Sequence, residues 1–194
     1  MRLPSSIRST ALILTVACAL LAAFAGRAGA QEQLLTREQA LREIFPEGTR
    51  TVDETRVLAA AQRDRLEHEL GRRIDDDEIV VTRVFDAAGT VRGFAVVTEE
   101  IGKYRPITFM VGVTPELAVR DVAVLVYRES RGGDVKRRRF LNPYRGKTIR
   151  DPIDVNRDII NISGATISVR SINAGVKRVL AELRELQATT SSSR

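Results

Sequence analysis

Between Ile79 and Tyr127 the chain reads as four β-strands in close succession, and no other stretch leaves so few folds open. Ile79 to Phe85 concentrates β-branched residues, Asp86-Ala87-Ala88-Gly89 reads as a turn, and Val91 to Thr98 forms a second strand. Ile107 to Val113 and Val119 to Tyr127 supply two more. Short connections between them imply an antiparallel meander of about four strands.

Helices flank this block. Thr36-Arg37-Glu38-Gln39 has the form of a capping box and opens a short helix that runs to about Ile44 and stops near Pro46. Thr51 to Glu54 looks like a second capping box. It predicts a helix over 52–70 that buries Val57, Leu58, Ala61, Leu66 and Leu70 and ends at Gly71. Val135 to Leu141 suggests a short helix, and 148–162 reads as irregular. After Thr166, the residues Ile172, Val176, Val179, Leu180, Leu183 and Leu186 form one apolar stripe of a long helix. These elements predict an α+β fold, with N-terminal helices and a long C-terminal helix against one sheet face. The expected organisation is a leader over 1–30, a helical segment over 31–75, the main domain over 76–187 and a disordered tail over 188–194.

The leader predicts export. Arg2 and Arg8 precede an apolar run from Ala11 to Phe24, and Ala28-Gly29-Ala30 fits a signal-peptidase site, giving a mature start at Gln31. The rival readings are an uncleaved membrane anchor and, on a poor acylation box, a lipoprotein modified at Cys18. Removing Arg2, Arg8 and Arg27 leaves 28 basic against 25 acidic residues, a net of +3. That balance gives no reason to expect nucleic acid. Cys18, the sole cysteine, departs with the leader, so the mature chain has no disulfide, thiolate nucleophile or thiolate metal site. The single histidine, His68, lies between Glu67 and Glu69 and reads as a solvated residue. Asp75-Asp76-Asp77 lacks the ligand spacing of a calcium loop and reads as a solvated turn.

Chemistry concentrates where the last helix begins. Ser163-Gly164-Ala165-Thr166 puts hydroxyls and small residues at a helix N-terminus, where unpaired N–H groups and the helix dipole favour a phosphate. Serine and threonine here also serve as ordinary helix caps.

Ile162-Ser163-Gly164-Ala165-Thr166-Ile167-Ser168 resembles the flavinylation motif of the FMN-binding domain family. That family includes the periplasmic FMN subunits of the sodium-translocating NADH:quinone reductase and the Rnf complex. Gly102 to Val113 resembles its glycine-aromatic segment feeding a core strand. Glu129-Ser130-Arg131-Gly132-Gly133 resembles its Glu-Thr-x-Gly loop, and Phe140-Leu141 with Gly146-Lys147 resembles its next block. The resemblance spans about Ile79 to Leu186. It implies FMN held by a phosphoester to Thr166, attached by a flavin transferase that uses FAD and a divalent metal. It also implies backbone or hydroxyl contacts to the phosphate from Ser163, Gly164, Ala165, Ile167 and Ser168. Glu129 and Ser130 are candidates for contact with the flavin ring or its ribityl chain, with Glu129 equally open to the role of an ordinary loop acid, and Tyr104 is a candidate for stacking on the flavin. Phe109 is open to flavin stacking or to core packing. Lys136-Arg137-Arg138-Arg139 is open to partner docking or to a solvated face. One position departs from the motif: Ile160 stands six residues before Thr166, where aspartate is usual, with Asp158 and Asn161 nearby.

The implied function is electron transfer with a membrane-bound or periplasmic redox partner. No acid–base pair suggests a stand-alone enzyme. A non-redox binding or accessory subunit of a membrane electron-transfer complex is the alternative, and a flavoenzyme acting on a small substrate is a third reading.

Overall fold

The computed structural model describes residues 32–76 and 78–192, with side chains through residue 188. The leader, Asp77 of the acidic turn and residues 193–194 lie outside the described residues. The described residues fall in one compact unit.

The described elements are β1 (Glu32–Gln33), α1 (Arg37–Ile44), β2 (Arg50–Val57), α2 (Ala60–Leu70), β3 (Glu78–Phe85), β4 (Val91–Ile101), β5 (Pro106–Val113), β6 (Val119–Tyr127), α3 (Arg138–Leu141) and α4 (Thr166–Ser192). Turns of 3-10 helix, Gly133–Lys136 and Asn142–Tyr144, flank α3, where the sequence suggested one short helix. The sheet has six strands rather than about four, in the order β1-β6-β5-β4-β3-β2, with every neighbouring pair antiparallel. The two additional strands come from the N-terminal segment. β1 pairs with the end of β6, and β2 pairs along all of β3.

β2 corrects the expected helix over 52–70. Thr51, Val52, Thr55 and Val57 are β-branched and prefer extended backbone. Cross-strand partners then fix the register: Thr82 Oγ donates to Asp53 at 2.8 Å, and Arg83 pairs with Glu54 at 2.9 Å. Val57, expected in the core, is 63% exposed on this edge strand. The helical part begins only at Ala60, where Gln62 Oε1 accepts the Ala59 N–H at 2.9 Å, and it ends at Gly71 with φ +64°. Leu66 is buried as expected, Ala61 is exposed, and buried Gln62 faces α4. The first capping box forms as predicted, between Thr36 and Gln39.

Helices cover both sheet faces, where one was expected. β5 shows why. Ile107, Phe109, Val111 and Val113 point to one core with Val169, Ile172, Val176 and Leu180 of α4. Met110 points to the other, with Ala40, Leu41 and Ile44 of α1 and Phe45 after it. Strand alternation thus feeds two apolar layers. Gly112 lies under Ile44 and Phe45, where a Cβ would collide with the Ile44 side chain. α4 continues to Ser192, into the stretch read as a disordered tail.

Candidate functional site

The turn that launches α4 is built by local bonding. Ala165 N–H donates to Ile162 O at 2.9 Å, and Gly164 takes φ +78°, a left-handed conformation that glycine adopts at little cost. Val169 N–H donates to Ala165 O at 2.9 Å, so α-helical bonding begins there. The N–H groups of Thr166, Ile167 and Ser168 therefore have no acceptor within the helix. Thr166 Oγ donates to Asn161 Oδ1 at 3.1 Å.

Two other segments meet this helix start. The first is the β4–β5 turn. Gly102 N–H donates to Arg105 O at 2.9 Å, and Glu129 Oε1 accepts the N–H groups of Tyr104 at 2.6 Å and Arg105 at 3.0 Å. A Cβ on Gly102 would sit 2.7 Å from Glu129 Oε1, so glycine permits this contact. The second is the loop after β6. Tyr127 Oη donates to Arg131 O at 2.6 Å and lies 3.3 Å from Ser168 Oγ. Burial pushes the Tyr127 phenol upward, the Ser168 contact opposes this, and the Glu129 charge adds to the rise, so it stays a donor. Gly132, at φ +79°, lets this loop press against α4, because a Cβ there would sit 2.8 Å from that of Ala165. Ser171 Oγ bonds to Ile101 O at 2.6 Å and Ile167 O at 2.9 Å, tying the first turn of α4 to the end of β4.

Together these segments enclose a cavity of about 570 Å³. Tyr104, Glu129, Ser130, Gly164, Ala165, Thr166, Ile167 and Ser168 line it. Ser163 is exposed and outside the lining. Lys103 and Arg131 also line it. They were missed as site residues, although each adjoins a candidate, and cations suit an anion beside a helix N-terminus. Tyr104 is 73% exposed, with Lys103 Nζ 4.9 Å from its ring centroid. Phe109 is buried beneath α4, where Gly175 brings the helix so close that a Cβ would sit 2.5 Å from its ring, so core packing takes it. The basic run is tied down: Lys136 pairs with Glu32, Arg137 and Arg139 pair with Asp134, and Arg138 pairs with Asp121.

Residues 102–181 match the model of a family described as the FMN-binding domain. Over this stretch the chain is similar to FMN-binding domains. The stretch contains every residue of the cavity lining, from Lys103 to Ser168. Strands β1 to β4 lie outside the matched stretch yet complete its sheet. Among solved structures, the chain resembles Shewanella oneidensis NqrC (16% identity, TM-score 0.49, covering 74% of this chain and 83% of that one). It also resembles a component of the Na(+)-translocating NADH-quinone reductase from Parabacteroides distasonis (13% identity, TM-score 0.43, covering 74% and 84%). No curated protein matches.

The lining suits the cofactor of an FMN-binding domain. The cavity volume is in the range of ligand pockets, about 300–1,000 Å³. Two cations and three helix-start N–H groups suit a phosphate, and the exposed Tyr104 ring offers a flat apolar surface. A Cβ on Gly164 would meet nothing within 4 Å, so the helix mouth is open.

Proposed function

We propose that the chain is an extracytoplasmic electron-transfer flavoprotein whose FMN is linked through its phosphate to Thr166. The observation that carries this reading is a hydroxyl at a helix mouth, set in one cavity with Lys103, Arg131 and N–H groups that have no acceptor within the helix. Bound FMN supplies one- or two-electron redox chemistry. The chain supplies the rest. Helix-start N–H groups and the two cations offset phosphate charge, Tyr104 offers its ring face, and Glu129 holds the turn that carries Tyr104.

The attachment partner in this reading is a flavin transferase that draws on FAD. Thr166 Oγ gains a bond to the flavin-side phosphorus, the phosphoanhydride bond breaks, AMP leaves and the hydroxyl proton is released. The leader pattern supports export, and a covalent tether suits a compartment where a lost cofactor is hard to replace. The redox partner would be membrane-bound or periplasmic.

Co-expression with a flavin transferase tests this reading. The expected product is yellow, keeps its flavin through acid precipitation and gains the mass of one FMN phosphoryl unit. Thr166→Ala should give a colourless acid pellet. A wild-type chain that gains no mass under these conditions removes the covalent linkage, and recovery from the cytoplasmic fraction alone removes the location.

A further inference from the structure

We infer that Asn161 is the positioning residue for the Thr166 hydroxyl. The inference rests on the Thr166 linkage proposed above. Ile160 is 62% exposed and has no group that could hold a hydroxyl. The neighbouring acid is committed elsewhere. Asp158 accepts the N–H groups of Ile153 at 3.1 Å and Asp154 at 2.9 Å, and it pairs with Lys147 Nζ at 2.9 Å. Burial opposes its ionisation, but those backbone N–H groups and Lys147 hold its carboxyl below the usual range. It is a fixed loop anchor. Asn161 Oδ1 is the side-chain acceptor that Thr166 Oγ–H meets, at 3.1 Å.

The loop before α4 is shaped to deliver this contact. Ile153 and Ile159 are buried, Val155 and Ile159 form a bridge, and Asn156 N–H donates to Ile159 O at 3.0 Å. Asn156 closes that turn at φ +63°, a conformation asparagine tolerates better than most residues. From the buried Ile159 the chain has two residues in which to reach Asn161. With its hydrogen directed to Asn161, Thr166 Oγ keeps its lone pairs for the incoming phosphorus. A neutral amide accepts a hydrogen bond without taking the proton. As the Oγ–P bond forms and AMP departs from FAD, the proton passes to water or to a base on the transferase. Asn161 fixes direction and does not act as the base.

The test follows covalent loading of the full chain over time by intact mass, with purified flavin transferase, FAD and a divalent metal. Asn161→Leu keeps the approximate shape and removes the acceptor. Its initial loading rate should fall about tenfold, the size of one lost hydrogen bond. Asn161→Asp restores an acceptor and should load at the wild-type rate or faster, while Thr166→Ala should not load. A leucine variant that loads like wild type overturns the inference and leaves the linkage standing. An aspartate variant as slow as the leucine variant also overturns it, because packing rather than the acceptor would then set the rate. A wild-type chain that never loads removes the linkage itself, which is a separate result.

Discussion

Glu129 shapes the cavity through what its carboxylate accepts. The sequence left it open between a flavin contact and a loop acid, and one of its oxygens receives two backbone N–H groups of the turn that carries Tyr104. Glu129→Ala leaves both donors without their partner and should cost about 1–3 kcal/mol of stability, read from a denaturant midpoint. Glu129→Gln keeps a carbonyl acceptor and should cost less. Gly132 is a second sensitive position. Alanine there meets both an unfavourable φ of +79° and the Ala165 side chain, so Gly132→Ala should lower the melting temperature and weaken FMN retention together. Thr166 was named from its hydroxyl at a helix start, Tyr104 from its ring and Ser130 from the family resemblance, and the structure places all three on one cavity. Lys103 and Arg131 were not named, because isolated cations on a chain with 31 basic residues carry no local signal. Asn161 stands five residues from Thr166, and only the fold of the intervening turn brings the two side chains together.

At the scale of elements, α4 is both the start of the cavity and the lid of the larger core. Midway along it, Arg178 hydrogen-bonds Thr98 on β4 and lies 3.4 Å from Glu100, while Arg72 pairs with Glu100 at 2.9 Å. Glu182, one turn on, is buried, and that burial pushes its carboxyl up to about 7. Arg178 and Arg72 oppose the rise, and Glu100 and Asp76 add to it. Between about 4.5, its ordinary value, and about 7 the folded chain holds a proton on Glu182 that the unfolded chain has released. Stability therefore declines as pH rises through that window, by a contribution on the order of 3 kcal/mol. Glu182→Gln should remove that decline, leaving a flatter profile of melting temperature against pH from 4.5 to 7.5. A variant whose profile matches wild type would refute the assignment. The stripe of α4 was plain in the sequence because six apolar residues recur at helical spacing. β2 was misread because Thr51-Val52-Asp53-Glu54 satisfies a capping pattern locally, and pairing with β3 overrides it.

The described residues form a sheet with helices on each face, and the stretch that matches the family model depends on strands outside it. A fragment limited to 102–181 would lose β3 and β4, leaving one edge of β5 unpaired and much of the core under α4 uncovered. It should fail to show a cooperative melt by circular dichroism, whereas residues 31–194 should unfold in one transition. The second face can be tested alone. Phe45 is buried there, beneath the Arg120 guanidinium at 4.8 Å from its ring centroid. Phe45→Ala should cost about 3–5 kcal/mol, measured by denaturant unfolding. The sequence by itself determined the central meander, the long last helix, the capping box at Thr36 and the hydroxyl at the mouth of α4. Each depends on residues close together in the chain, whose periodicity or turn chemistry acts locally. Only the tertiary structure decided that β1 and β2 extend the sheet, that α1 covers its second face and that Asp158 is held by Lys147. It also decided that Lys103 and Arg131 share a cavity with Thr166. Those outcomes depend on pairing and burial between distant segments, whose energies exceed the local preferences that any short window of sequence records.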